Sequence, residues 1–120
     1  MADTVLMIAW GSPVRGREER GLDVFNEALG LYGRFQQEGR IEGFDVAILQ
    51  PNGLMNGFIA LRGSTEQLNA LRQDEEFRRT TVAASLIVED FRLIDGSTGE
   101  GIARDIELYR EAVSQVPQTV

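Results

Sequence analysis

Three residues of this 120-residue chain, Asp90, Arg92 and Arg62, form the candidate catalytic group. Asp90 and Arg92 are two positions apart in a predicted strand, so their side chains share one face of the sheet. Arg62 ends another predicted strand and is expected at the same end of the sheet. A buried Asp90 would act as a general base, and the two arginines would stabilise a developing anion. The alternative is an internal ion pair that only fixes strand register.

The residue types that are missing narrow the possible chemistry. The chain contains no histidine, no cysteine and no lysine, and its twelve basic residues are all arginine. It therefore has no thiolate nucleophile, no side-chain amine for a Schiff base, and no imidazole for proton transfer near neutral pH. A metal site would consist of carboxylates alone, and no loop has the required spacing. We expect neither a cofactor nor a metal.

A second group of residues is predicted to bind a ligand at the opposite end of the sheet. Its members lie at or next to predicted strand ends: Trp10, Gln50, Asn56 and Phe58. Trp10 could stack on an aromatic ligand, or it could fill a subunit interface. The two tyrosines, Tyr32 and Tyr109, lie on helix stripes, where a position facing the core is the simpler interpretation.

Charge and composition limit the partners of the chain. It has 19 acidic and 12 basic residues and a net charge of −7, a balance that disfavours DNA, RNA and anionic membranes. The apolar run from Val5 to Trp10 follows Asp3 and is too short for a signal peptide or a membrane span. We therefore expect a cytoplasmic protein with one domain over residues 1–120.

Hydrophobic patterning predicts four strands and three helical regions. Apolar runs bounded by glycine and proline mark strands at 4–10, 44–50, 57–62 and 86–94. Apolar residues at helical spacing mark a first helix that ends near Gly39, a second region that begins at Ser64, and a last helix over about 99–116.

Local signals refine the helices. Ser64 and Gln67 have the spacing of a capping box, and Asp74 is typical of another helix start. Gly30 and Gly33 lie inside the first helix, where each costs about 1 kcal/mol relative to alanine. We interpret these two glycines as positions of close approach between helix and sheet.

The element order β-α-β-β-α-β-α predicts an α+β fold, because its first six elements are the ferredoxin-like arrangement, with a core over residues 4–94. Right-handed crossovers place the strands in the order 4-1-3-2, with all neighbours antiparallel. In the first strand Val5 and Met7 lie on one face, Leu6 and Ile8 lie on the other, and both sets are apolar. A sheet with two apolar faces needs a cover on each side.

The predicted helices cover one face, and two candidates remain for the other. A second copy of the chain could pack sheet against sheet about a two-fold axis. Alternatively, the C-terminal helix could fold back over the sheet of its own subunit. Its apolar stripe is narrow, which favours the second copy, although the helix could equally pack across such a dimer. We therefore expect a homodimer.

The element order, the two-sided apolar sheet and the stretch from Gly63 to Phe77 (GSTEQLNALRQDEEF) resemble the dimeric α/β-barrel superfamily. That superfamily includes proteins similar to antibiotic-biosynthesis monooxygenases, muconolactone isomerases, YCII-related proteins and NIPSNAP proteins. The resemblance covers residues 4–94 and implies a homodimer with a small-molecule pocket between sheet and helices in each subunit. YCII-related proteins use a histidine paired with an acid, and haem-degrading members hold iron through histidine. This chain has no histidine, so no catalytic residue is carried over from either group.

Two functional hypotheses follow. The first is a homodimeric protein that binds a hydrophobic or aromatic compound, or a cofactor-independent enzyme acting on one, with chemistry of the monooxygenase or isomerase type. The second is a non-catalytic dimeric sensor or accessory module in which the ionic residues have a structural role only.

Overall fold

Four strands and four helices follow one another in the predicted order, and the second predicted helical region consists of two helices. The computed structural model describes residues 2–117 and 119. The elements are β1 (Thr4–Trp10), α1 (Glu18–Gln37), β2 (Gly43–Ile48), β3 (Gly57–Gly63), α2 (Thr65–Gln73), α3 (Glu75–Ser85), β4 (Arg92–Ser97) and α4 (Glu100–Ser114). The strands form one antiparallel sheet in the order β2-β3-β1-β4. The predicted ferredoxin-like α+β fold and strand order are therefore confirmed.

The core lies between one face of the sheet and the helices α1, α2 and α3. Leu6 lies opposite Leu61 and Ile8 opposite Ile59 across the β1–β3 pair, and none of the four is more than 3% exposed. Side chains at helical spacing complete the core from the other layer: Ala28, Leu31, Tyr32, Phe35, Leu68, Leu71 and Phe77. Burial of these alternating residues fixes which face of the sheet the helices cover.

Two polar caps separate α2 from α3 at the predicted positions. The Gln67 amide donates to the Ser64 hydroxyl at 3.1 Å, and the Ser64 amide donates to the Gln67 side chain at 2.8 Å, which confirms the capping box. Asp74 accepts from the Phe77 amide at 2.9 Å and pairs with Arg40 at 2.8 Å. The Arg40 guanidinium and the Phe77 amide hold the pKa of Asp74 below its usual value. The ionised carboxylate thus starts α3.

The fourth strand is displaced from its predicted position. We expected it at 86–94, but β4 begins at Arg92 and ends at Ser97. Residues 87–89 satisfy their backbone groups on the loop before α1 instead, since the Val14 amide donates to the Ile87 carbonyl and the Glu89 amide to the Ser12 carbonyl, each at 2.8 Å. The chain turns at Asp90, where φ is 54°, before it pairs with β1. The sheet therefore extends beyond the predicted core boundary at 94.

The face of the sheet opposite the helices, here called the open face, is apolar and partly accessible. It carries residues that alternate with the core residues along the strands: Val5, Met7, Phe58, Ala60 and Ile94. Ile94 is 40% exposed, and the other four are partly exposed. The sheet is therefore apolar on both sides, as the sequence predicts.

The C-terminal helix α4 does not cover the open face. Its N-terminal part is held to the end of the sheet, where Arg104 pairs with Asp3 at 2.5 Å. Its apolar stripe is nevertheless exposed along its length, to 48% at Ile102, 47% at Ile106 and 70% at Tyr109. The radius of gyration is 16.9 Å, compared with roughly 14 Å for a compact chain of this length, so the molecule is extended. The alternative in which α4 covers the sheet of its own subunit is wrong.

Gly30→Ala and Gly33→Ala are each expected to raise the free energy of unfolding by about 1 kcal/mol. A Cβ atom at either position meets nothing within 4 Å outside the helix backbone, so our interpretation of these glycines as close-approach positions is wrong. Only helix propensity would change. Urea unfolding followed by circular dichroism measures the effect.

Gly57→Ala is the control for these variants. A Cβ at Gly57 would lie 2.7 Å from the Ala47 carbonyl oxygen and 2.8 Å from the Trp10 ring, so this variant should lose stability. If Gly30→Ala and Gly33→Ala were no more stable than the parent protein, the low helix propensity of glycine would not explain the effect of these positions on stability.

Candidate functional site

A cavity of about 300 Å³ lies between the helix-covered face of the sheet and the helices α1 and α3. This is the layer in which the family resemblance implies a pocket. Ile8 and Ile59 form its sheet side, and Val24, Ala28 and Ala84 contribute from the helices. Its wall is predominantly apolar, and its volume lies at the lower end of the range for small-molecule sites.

Aromatic side chains form one end of the cavity. Trp10, at the end of β1, and Phe25, on α1, meet edge to face, with ring centroids 5.8 Å apart and an interplanar angle of 64°. Phe91 also lines the cavity, from the turn before β4. Gly57 lies opposite Trp10 in the β1–β3 register, and its missing side chain leaves room for the indole ring. The glycine in β3 therefore positions the tryptophan.

Few polar groups reach the cavity. Asn56 contributes from the β2–β3 connection, Thr80 and Thr81 from α3, and the exposed Glu18 from the start of α1. Glu18 is the one charged residue in the described lining, and its carboxylate accepts a hydrogen bond from the Gly16 amide at 2.8 Å. The interior of the cavity is therefore uncharged.

Tyr32 is the exception within the apolar wall. Its residue is 1% exposed, and its ring packs among those of Phe35, Phe44 and Phe77. Within residues 2–117 its hydroxyl has no hydrogen-bond partner, yet it is not among the fully enclosed oxygen atoms that lack one. The hydroxyl is therefore not completely enclosed, and its residue lines the cavity. Burial raises the pKa of Tyr32 well above its usual value.

The structure divides the four predicted ligand-binding residues. Trp10 and Asn56 lie together at the cavity, and the Trp10 carbonyl accepts the Asn56 amide at 2.8 Å. Phe58 lies on the open face, where it is paired with Ala9. Gln50 is exposed in the loop after β2, where its carbonyl accepts from the Asn52 side chain. The last two do not line the cavity.

The three predicted catalytic residues are not brought together. Arg62 pairs with Asp45 at 2.9 Å, opposite Val5 of β1, whereas Arg92 lies opposite Ala9. Along the direction of the strands alone, the two arginines are four positions, or about 13 Å, apart. Asp90 is exposed in the turn before β4. We expected it inside a strand, and this prediction is wrong. None of the three lines the cavity.

Sequence reasoning gave little weight to Tyr32 and overlooked Phe25, Phe91, Thr80 and Thr81. The signal was present on α3, because Phe77, Thr80, Thr81 and Ala84 follow helical spacing and face the same layer. Phe91 was missed because the predicted strand at 86–94 put it on a face of the sheet, whereas it lies in the turn before β4. Tyr109, the other tyrosine considered, lies on the exposed stripe of α4.

Within the described residues, no cluster of acidic side chains is arranged to hold a metal ion. The same part of the chain has no helix that is long and apolar enough to span a membrane.

The chain matches no protein-family model and no curated protein sequence. Its fold is similar to those of solved structures, among them the following two. A dimeric protein of unknown function and ferredoxin-like fold from Bacteroides fragilis NCTC 9343 is 13% identical with a TM-score of 0.59, and the match covers 79% of this chain and 96% of that one. A dimeric ferredoxin-like protein of unknown function from Jannaschia sp. CCS1 is 10% identical with a TM-score of 0.59, over 81% of this chain and 98% of that one. At these identities the matches establish the ferredoxin-like fold, and none of the specific families named above.

Tyr32 is expected to make the fold sensitive to alkaline pH. Because burial raises its pKa, the neutral phenol is favoured in the folded state. Its contribution to stability is therefore complete below about pH 10, the pKa of an unfolded tyrosine, and is lost progressively above it. In a Tyr109→Phe variant, where Tyr32 is the only phenol left, phenolate absorbance should appear only together with unfolding. Tyr32→Phe should weaken the alkaline loss of stability, and a phenolate signal with intact circular dichroism would contradict this account.

Proposed function

We propose that this protein is a homodimer that binds a small apolar molecule in the cavity between its sheet and helices, as a carrier or sensor. The observation that carries the proposal is the cavity itself, about 300 Å³ lined by aromatic and aliphatic side chains with few polar groups. Binding sites for small molecules combine these features. An apolar ligand would gain affinity by leaving water for this surface.

The position of the ionic residues favours binding over catalysis. Asp90, Arg62 and Arg92 do not line the cavity, and Arg62 is already paired with Asp45. A general base must lie within hydrogen-bond reach of the proton that it removes. None of the three supplies a base at the wall of the cavity. A catalytic role of these three residues stays a prediction from the sequence.

The homodimer is supported by two apolar surfaces that a single chain leaves accessible. These are the open face of the sheet and the stripe of α4 at Ile102, Ile106 and Tyr109. Both would be covered if two copies met through their open faces and α4 packed across the partner. α4 has a net negative charge, and Arg92 lies at the edge of the open face, where it could pair with an acidic residue of a partner's α4. The two similar structures are also those of dimeric proteins.

Naphthalene is a suitable first probe, since Trp10 is the only tryptophan and lies at the cavity. We expect naphthalene to change the tryptophan fluorescence in a saturable way. Ala84→Phe places a ring in the cavity and should weaken binding roughly tenfold or more, because the new side chain occupies volume that the ligand needs. Ala70→Phe makes the same change on an exposed site of α2 and should leave the affinity unchanged. Equal affinity in both variants would place the probe elsewhere.

Asp90→Asn separates the binding proposal from the catalytic prediction. The residue is exposed and lies off the cavity, so the fluorescence titration should be unaltered. A large loss of naphthalene affinity in Asp90→Asn, with no change in melting temperature, would show that Asp90 belongs to the site.

Light scattering is expected to give about twice the chain mass of 13.3 kDa at micromolar concentration. Ile94→Glu on the open face and Ile106→Glu on α4 should each shift the mass toward a single chain, because both bury a charge in the proposed interface. Leu54→Glu is the control, since this residue is 72% exposed in the β2–β3 connection. Persistence of the dimer in Ile94→Glu would exclude the open face as the interface.

A further inference from the structure

The charge of the cavity restricts what it can bind. The chain has twelve arginines and no lysine, and no arginine lines the cavity. An anionic ligand would therefore lose its hydration without gaining a countercharge, which is costly in an apolar site. Glu18, the one charged residue in the lining, would add repulsion. A cationic ligand could approach Glu18 only at the exposed start of α1, so the interior is suited to an uncharged molecule.

The shape and chemistry of the walls restrict the ligand further. Trp10 and Phe25 meet edge to face at the cavity, and Phe91 contributes a third ring to its lining. Aromatic rings in such an arrangement favour another aromatic ring, stacked or edge to face. A planar ring system therefore matches these rings better than a flexible aliphatic chain.

Tyr32 is the most deeply buried residue of the lining that carries a hydrogen-bond donor. Its residue is 1% exposed and lines the cavity, and within residues 2–117 no protein group accepts its proton. A buried hydroxyl without a partner is unfavourable, so a ligand that provides an acceptor there gains a hydrogen bond at little cost. Burial favours the neutral phenol, and its O–H group can donate this hydrogen bond.

From these three observations we infer that the ligand is an uncharged, planar aromatic compound with a hydrogen-bond acceptor, such as a carbonyl oxygen, that receives the proton of the Tyr32 hydroxyl. This inference rests on the proposed function, since it names the ligand class for the same cavity. It assigns Tyr32 as the specificity-determining residue and the aromatic end as the ring-binding part.

Three probes of similar size test this inference through the fluorescence of Trp10 in the full-length protein. Acetylnaphthalene has the ring and a neutral carbonyl, naphthalene has the ring alone, and naphthoate replaces the carbonyl group by a carboxylate. In the unmodified protein we expect acetylnaphthalene to bind most tightly and naphthoate at least roughly tenfold more weakly than acetylnaphthalene. Tyr32→Phe should weaken acetylnaphthalene binding roughly five- to tenfold and leave naphthalene binding unchanged.

The outcomes separate the inference from the function on which it rests. Naphthoate binding as tight as that of acetylnaphthalene, or a Tyr32→Phe variant with full acetylnaphthalene affinity, overturns the inference and leaves the binding proposal standing. Absence of binding by all three probes overturns both. Unchanged naphthalene binding in Tyr32→Phe verifies that the variant keeps its cavity, and its melting temperature should equal or exceed that of the parent protein, because a partnerless hydroxyl has been removed. Tyr109→Phe, on the exposed α4, is the matched control and should bind all three probes normally.

Discussion

The side chains of β1 point alternately to two faces of the sheet, and all of them from Val5 to Trp10 are apolar. β1 lies inside the sheet, because it is paired with β3 on one edge and with β4 on the other. Its two faces must therefore be covered by layers above and below the sheet. Burial of one large aliphatic side chain is worth about 1.5–3 kcal/mol, so several such residues on each face create a strong demand for cover. α1, α2 and α3 meet that demand on one side through Leu6 and Ile8. The other side is the reason to expect a second chain.

The same constraint creates the cavity. Trp10 is the last residue of β1 and points to the helix-covered face, where it meets Phe25. The indole ring packs directly over Gly57, whose missing side chain leaves room for it. The inner end is closed more tightly, by Tyr32 among three phenylalanines. Under the proposed function such a cavity would bind its ligand mainly through contact area, so its selectivity would depend on shape and on charge exclusion.

Charged residues are kept at the periphery, where they join elements without entering the site. Arg34 pairs with Glu76 at 2.7 Å between α1 and α3, and Arg72 pairs with Asp95 at 2.7 Å between α2 and β4. These pairs are exposed and screened by solvent, so their effect is chiefly to orient the helices. Arg40 also lies over the Phe35 ring at 4.4 Å, which connects the periphery to the core. The interior consequently remains uncharged although a quarter of the residues are charged.

The local pattern of the sequence determined the first three strands and the caps at Ser64 and Asp74, since apolar runs between turn residues and capping spacings are properties of short segments. The strand order followed from the element order and the right-handedness of crossovers. The two apolar faces of β1 and the exclusion of imidazole and thiol chemistry were likewise readable from residue types alone. Tertiary structure decided where β4 begins, because residues 87–89 found backbone partners on the loop at 12–14 rather than on β1. That choice placed Asp90 in a turn and apart from Arg62, although sequence spacing grouped them. It also decided that Trp10, Asn56 and Tyr32 share a cavity while Phe58 faces the other way, since the contacts of a side chain depend on which layer packs above its strand.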